Sequence, residues 1–272
     1  MYRSGAIFGG FALVSLTILS HSGCRTFHTV PSLPIRHSIV REQLVIYSDF
    51  PITPRHRLFN ELAAQREAAY ELLELPSSEA PIDIYLFGTA DGLRAFIRER
   101  FSDFPDRRAF FVEAEGRLSV YAYWGERVAE DLRHEVAHGY LHAVIPDLPL
   151  WLDEGLAEYF EVPLGQHGQN RAHLSLLIGE MEREAWKPDL SRLESITSAA
   201  DLTQIDYAEA WAWVHFLLES ADHRRQLLLA YLANLRRDRT APPLSEYLGA
   251  EQIQQQGVLV QYIVSVAGPP GR

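Results

Sequence analysis

The sequence predicts an α+β protein in which a small mixed sheet with helices comes first and a mainly helical part follows. Three observations support this prediction. Strand-like runs alternate with helical spacing up to about residue 124, and from Glu126 onward the apolar spacing is helical. Composition is the third, because 47% of the 272 residues are apolar and 22% are charged, which is typical of a globular protein.

The charge and the cysteine count exclude several classes of function. Lys and Arg total 25 against 36 Asp and Glu, which gives a net charge of −11. An acidic chain does not favour nucleic acid as a partner, because phosphate contacts require clustered basic side chains. The single cysteine excludes an internal disulfide and any metal site built on several cysteines.

The N-terminal segment has the features of a secretion signal. Residues 6–19 are almost wholly apolar, which is too short for a comfortable membrane span and suits a signal peptide. Cys24 follows two small residues, and this arrangement resembles a bacterial lipoprotein signal. The sequence thus predicts a signal peptide over 1–23, lipidation of Cys24 and a proline-containing tether over 24–38.

One feature departs from the lipoprotein pattern, because His21 stands where leucine is usual. Ordinary signal cleavage, with Cys24 incidental, is therefore the alternative. The expected location is the bacterial cell envelope, where a lipid would anchor the chain to a membrane on the periplasmic or extracellular side.

The first lobe of the folded part is predicted over about 39–143. Its strands and helices are separated by prolines and glycines, and Glu115-Gly116 marks a hairpin turn. The predicted strands are 43–47, 82–87, 109–114 and 117–123, and the predicted helices are 55–75 and 91–101.

The second lobe, over about 144–256, is predicted to be helical. A long helix expected at 126–143 ends the first lobe. The helices expected in the second lobe are 152–160, 170–183, 207–219, 222–236 and about 244–256. Together the two lobes make one domain over 39–256, with the cleft between them as the natural site. Residues 257–272 are expected to be a C-terminal segment with a disordered tail.

The strongest chemical signal is the run His134-Glu135-Val136-Ala137-His138, within a predicted helix. Side chains four residues apart share a helix face, so both imidazoles can bind one zinc ion. Glu135 is offset from that face and can reach the attacking water. This H-E-x-x-H pattern is typical of metallopeptidases.

A catalytic zinc needs a third protein ligand, and residues 151–157 read W-L-D-E-G-L-A. At this point the chain resembles the gluzincin metallopeptidases, in particular their aminopeptidase branch and small bacterial lipoprotein peptidases. The resemblance implies a zincin-like fold in which Glu154 is the third zinc ligand. Prolines 146 and 149 support this, because they force a turn between two helices that can then face each other.

Glu158 lies four residues after Glu154 and shares its face. In the thermolysin-like members of the family, a carboxylate at this spacing holds the outer N–H of a zinc-bound histidine. We therefore expect Glu158 in that role, with an exposed glutamate as the alternative. His142, one turn past His138, is expected to line the wall of the site.

Gluzincin aminopeptidases use a tyrosine at the start of a later helix to stabilise the oxyanion. Tyr207, followed by Glu209 and an apolar run, resembles it and is the candidate donor, with Asp206 as the expected helix cap. Tyr140 and Tyr159 are rivals for this role, and a core tyrosine is the alternative.

In the related fold, the strand at 117–123 borders the cleft and pairs with an extended substrate. The aminopeptidase branch carries a G-x-M-E-N motif in this region, whereas residues 116–120 read G-R-L-S-V. The departure favours endopeptidase over aminopeptidase cleavage.

The sequence thus predicts a membrane-tethered zinc metallopeptidase that hydrolyses a peptide or protein substrate. His134, His138 and Glu154 would bind zinc, and Glu135 would act as the general base. A catalytically inactive zinc-binding or interaction module on the same scaffold is the second hypothesis. A structural lipoprotein without metal is the third, and it requires the ligand pattern to be coincidental.

Overall fold

The computed structural model describes residues 32–101, 106–238, 241–248 and 252–268, and its architecture is α+β as predicted. A mixed sheet forms in the N-terminal part and helices follow it. The predicted signal peptide, Cys24, most of the tether and the last four residues lie outside the described part of the chain. Contacts join Pro31–Arg272 into a single unit, which includes both predicted lobes.

The sheet has five strands in the order β1-β2-β3-β5-β4. Strands β2, β3 and β5 run parallel, while β1 and β4 pair antiparallel with their neighbours at the two edges. Strand β1 was not predicted from the sequence, and it includes the end of the proposed tether. The strands are β1 (His37–Arg41), β2 (Leu44–Ser48), β3 (Ile82–Phe87), β4 (Ala109–Ala114) and β5 (Arg117–Tyr123).

The position of β5 differs from the expectation that it borders the cleft. Strand β5 is internal, because β3 and β4 occupy both of its edges. An internal strand has no free N–H or C=O groups for a substrate backbone. Strand β4, its hairpin partner, is the edge strand on this side of the sheet.

Two helices pack with the sheet in the first part of the chain, and eight follow β5 in the described residues. The ten helices in the described residues are α1 (Arg57–Leu72), α2 (Ala90–Arg100), α3 (Val128–His142), α4 (Leu150–Glu161), α5 (Arg171–Glu182), α6 (Leu190–Glu194), α7 (Gln204–Glu219), α8 (Asp222–Arg237), α9 (Leu244–Leu248) and α10 (Gln252–Ala267).

The C-terminal segment contains more helix than predicted. Helix α10 continues to Ala267, well past residue 256, and packs against α5 and α7. Leu259 and Ile263, one turn apart, are fully buried there, and this burial stabilises the added turns of helix. None of the described helices is long and apolar enough to cross a membrane.

Helices α3, α4 and α7 pack together, and two features set their spacing. A Cβ atom at Gly155 on α4 would lie 2.6 Å from the Ala210 carbonyl oxygen on α7, so only glycine permits this close approach. The buried Gln65 amide on α1 donates to the Arg133 carbonyl of α3 at 2.7 Å and to the Phe160 carbonyl of α4 at 3.0 Å. One side chain thus connects three helices.

Candidate metal centre

Helices α3 and α4 bring the predicted ligands together. His134 and His138 lie one turn apart on α3, and Pro149 is the N-cap residue of α4 after the short turn. Glu154 is buried on α4, against the face of α3 that carries the histidines.

The three candidate ligand atoms form a compact triangle. His134 Nε2 lies 3.3 Å from His138 Nε2 and 3.5 Å from Glu154 Oε2, and His138 Nε2 lies 3.7 Å from the same oxygen. Ligand atoms at 2.0–2.1 Å from a tetrahedral zinc are separated by about 3.3–3.4 Å. Two imidazole nitrogens and one carboxylate oxygen are also the donor set that catalytic zinc uses, so the residues fit the metal.

Two cavities flank this triangle and share Arg107, His134 and Glu135 in their walls. One, of about 370 Å³, is polar and lies toward the start of α3, where Glu161 and Tyr207 line it. The other, of about 340 Å³, lies toward the end of α3, where Phe110 and Phe111 line it. Burial raises the pKa of Glu135 above its ordinary value, which favours a carboxylate that can both accept and return a proton.

The outer nitrogen of His138, which is the ring nitrogen that faces away from the triangle, is hydrogen bonded. This atom, Nδ1, lies 2.8 Å from Asp153 Oδ1, and Asp153 Oδ2 lies 3.1 Å from Nε2 of His142. Nδ1 of His142 in turn lies 2.7 Å from Glu113 on β4. Although burial opposes the charge of Asp153, the two histidines hold the pKa of its carboxyl well below its usual range.

The outer side of His134 is different, and the predicted role of Glu158 is not what the structure displays. His134 Nδ1 lies 3.3 Å from Glu161 Oε2. Glu158 Oε2 instead lies 2.7 Å from His173 Nε2 and accepts a hydrogen bond from Asn170. A Glu158 oxygen also lies within 4.8 Å of His134 and Glu161, and the side chain lines the polar cavity, but its short contact is with His173 on α5.

Tyr207 lines the polar cavity beside His134 and Glu135, and its hydroxyl accepts a hydrogen bond from Arg107 at 3.4 Å. Burial and the nearby Glu154 carboxylate raise its pKa, so the hydroxyl keeps its proton. Both rival tyrosines donate elsewhere, Tyr140 to the Leu62 carbonyl and Tyr159 to Glu219.

The helix that carries Tyr207 begins earlier than predicted. Thr203 is its N-cap and Asp206 completes a capping box from the third helical position. The expectation that Asp206 itself caps the helix is therefore wrong, although it does contribute to the cap.

Three residues at the site were not predicted from the sequence. Asp153 and Glu161 are acidic residues on the predicted ligand helix, and their spacing to Glu154 was the available signal. Arg107 lies in an irregular segment before β4, where no local pattern marks a site residue. Its guanidinium is within electrostatic reach of Glu154 and Glu135.

A family model, described as a protein of unknown function (DUF1570), matches residues 128–244. The match begins at the first residue of α3 and ends at the first residue of α9. It therefore includes both histidines, Glu154 and Tyr207 but neither the sheet nor Arg107. No curated protein matches the chain.

Proposed function

We propose that this chain is a zinc-dependent peptidase of the gluzincin type. The observation that supports it best is the triangle of His134, His138 and Glu154 atoms, 3.3–3.7 Å apart, with Glu135 beside it in the cleft. The chemistry that a bound zinc supplies is Lewis acidity, which polarises a carbonyl group and lowers the pKa of a water molecule.

The chain's own side chains supply the remaining chemistry. Glu135 takes a proton from the attacking water and later delivers it to the leaving amine, which balances the hydrolysis. The Tyr207 hydroxyl donates a hydrogen bond to the oxygen on which negative charge develops. Arg107 places a positive charge beside that hydroxyl, and the charge stabilises the same oxyanion.

We propose endopeptidase cleavage, because cavities lie on both sides of the residues they share. An extended peptide can then run past the metal centre in both directions. Strand β4 is the edge strand nearest the site, since the Phe111 ring stacks on that of His138 at 5.8 Å. A peptide that adds to β4 as a further strand would lie across the metal centre.

We also propose that Cys24 is lipidated and that the lipid tethers the domain to a membrane of the bacterial envelope. This proposal depends on the sequence alone. Cys24→Ala should release the chain from the membrane fraction, and mass spectrometry of the N-terminal peptide should detect the lipid in the unaltered chain. An unmodified Cys24 in membrane-bound protein would contradict it.

The test of the peptidase is zinc content together with digestion of a broad peptide library by the purified full chain. We expect near one zinc per chain and internal cleavage of library peptides. Glu135→Gln should keep the zinc and lower turnover at least about 100-fold, because a general base contributes that much or more. The matched control is Glu130→Gln, the same change on the same helix, outside both cavities.

The outcomes separate the hypotheses. Zinc without cleavage by the unaltered chain would favour the non-catalytic module. A chain that binds no zinc when zinc is supplied would contradict both. Equal turnover in Glu135→Gln and Glu130→Gln would remove Glu135 from the mechanism.

A further inference from the structure

His142, which has no role in the proposed mechanism, connects helix α4 to strand β4. Its ring lies between Asp153 on α4 and Glu113 on β4, with a carboxylate oxygen at 3.1 Å from Nε2 and another at 2.7 Å from Nδ1. Because carboxylates accept, both ring nitrogens act as donors. The ring is largely buried, with 16% of its side chain exposed.

Asp153 extends this connection to a candidate metal ligand. One of its oxygens accepts from His138 Nδ1 and the other from His142, so the carboxylate has a partner on each oxygen. A carboxylate with one partner can rotate away from it, whereas two partners on different residues fix its plane. The outer nitrogen of His138 therefore has an acceptor that is itself held in place.

We propose that His142 is a positioning residue, which holds the Asp153 carboxylate against His138 and ties both to Glu113 on the edge strand. This inference rests on the proposed function, since it assigns His138 to the metal. Partners of metal-bound histidines fix the orientation of the ring, and their loss typically lowers metal affinity 10- to 100-fold. His142 acts one contact further out, so its loss has a smaller effect.

The attachment to Glu113 gives the connection a second consequence. Phe111 and Glu113 both lie on β4, and the Phe111 ring contacts those of His138 and His142. The edge strand is thus fixed to the metal ligand by a stacked ring and by a hydrogen-bonded chain. A peptide paired with β4 would lie at a set distance from the metal.

Three variants at one position test the proposal, because amide side chains reproduce different parts of imidazole. His142→Gln places an N–H donor near the position of Nε2, on the Asp153 side. His142→Asn reaches only the position of Nδ1, on the Glu113 side, and His142→Ala removes both donors. Thermal melting of each metal-free variant verifies that it folds, and Glu113→Ala probes the outer contact without changing α3.

The first measurement needs no metal. In ¹⁵N-histidine-labelled full chain, the His138 Nδ1 proton should exchange slowly with solvent, and His138→Gln assigns its resonance. Exchange should be at least about tenfold faster in His142→Ala and His142→Asn, faster to a smaller extent in Glu113→Ala, and nearly unchanged in His142→Gln. The second measurement is zinc affinity by chelator competition, which should fall roughly three- to tenfold in the Ala and Asn variants.

Equal proton exchange in the unaltered chain and His142→Ala would overturn the proposal. So would equal losses in the Gln and Ala variants, because the donor on Asp153 would then not matter. If the unaltered chain binds no zinc but its His138 proton responds as expected, the positioning role stands and the zinc peptidase fails.

Discussion

The two candidate metal-binding histidines lie one turn apart on the same helix, yet their outer nitrogens have different surroundings. Nδ1 of His138 is hydrogen bonded to Asp153 at 2.8 Å, within a chain that continues to β4. Nδ1 of His134 is buried and has a longer and weaker contact, 3.3 Å from Glu161 Oε2. His138 is thus held by a chain of hydrogen bonds, whereas His134 has one longer contact.

The difference coincides with a division of the cleft. Glu161 and Tyr207 line the polar cavity, which we call the His134 side because His138 is not in its wall, whereas His138 and Asp153 line the other cavity, the His138 side. Under the proposed function, both histidines bind the metal, the contacts on the His138 side fix the orientation of one ligand, and the cavity on the His134 side meets the reacting carbonyl. The two histidines of the motif therefore have different surroundings.

The largest expected effect is on the His134 side. Tyr207→Phe should lower kcat about 100-fold or more, because loss of one oxyanion donor costs about 3 kcal/mol in the transition state. Zinc affinity should stay within about twofold, since Tyr207 is not a candidate ligand and its hydroxyl is hydrogen bonded to Arg107. Steady-state kinetics and chelator competition measure the two, with Tyr159→Phe as the matched control. A fall in zinc affinity without a fall in kcat would contradict the role proposed for the His134 side.

The next effect compares the two outer carboxylates directly. Asp153→Ala should lower zinc affinity about 10- to 100-fold, because a bonded partner of a metal-bound histidine is lost. Glu161→Ala should lower zinc affinity by less than about threefold, since the contact of Glu161 with His134 is longer, at 3.3 Å against 2.8 Å. Equal losses in the two variants would show that the two histidines are held alike.

The smallest expected effect is a pH dependence of stability on the His138 side. Although burial opposes protonation, Asp153 and Glu113 raise the pKa of His142 to about 9 in the folded chain, from about 6.5 when unfolded. Its contribution, about 1–2 kcal/mol after screening by solvent at Glu113, is therefore complete below pH 6.5 and disappears as the pH rises through 9.

Chemical unfolding of the metal-free chain at about pH 6 and pH 10 measures this contribution. His142→Gln should be less stable than the unaltered chain at the lower pH, and the two should converge at the higher pH. His223→Gln, at an exposed position on α8, is the control. A difference that stays constant with pH would mean that His142 is not charged in the fold.

The sequence predicted those parts of the fold and site that depend on local spacing. The hairpin of β4 and β5 matches residue for residue, because Glu115-Gly116 adopts the positive φ angles that such a turn needs. The triangle of ligand atoms also follows from helical spacing plus one short turn.

The misses depend on packing between elements. Nothing local to Glu158 indicates that His173, on the next helix, takes its carboxylate, and nothing near Arg107 indicates Tyr207. Strand β1 is mostly exposed, so its residues lack the apolar alternation that identifies a half-buried strand. The strand order was not predicted either, and this order decides which strand of the hairpin lies at the edge of the sheet.

The Gln65 amide bears on whether the metal-site helices can be separated from the rest of the chain. It lies 68 residues before Arg133 and 95 before Phe160, the two residues whose carbonyls it joins. A fragment starting at Val128, where the family match begins, would lack this donor and would expose the apolar faces that α1 and the sheet cover. The helices of the candidate metal centre therefore depend on the N-terminal half for part of their packing, and we expect a fragment that starts at Val128 to fold poorly on its own.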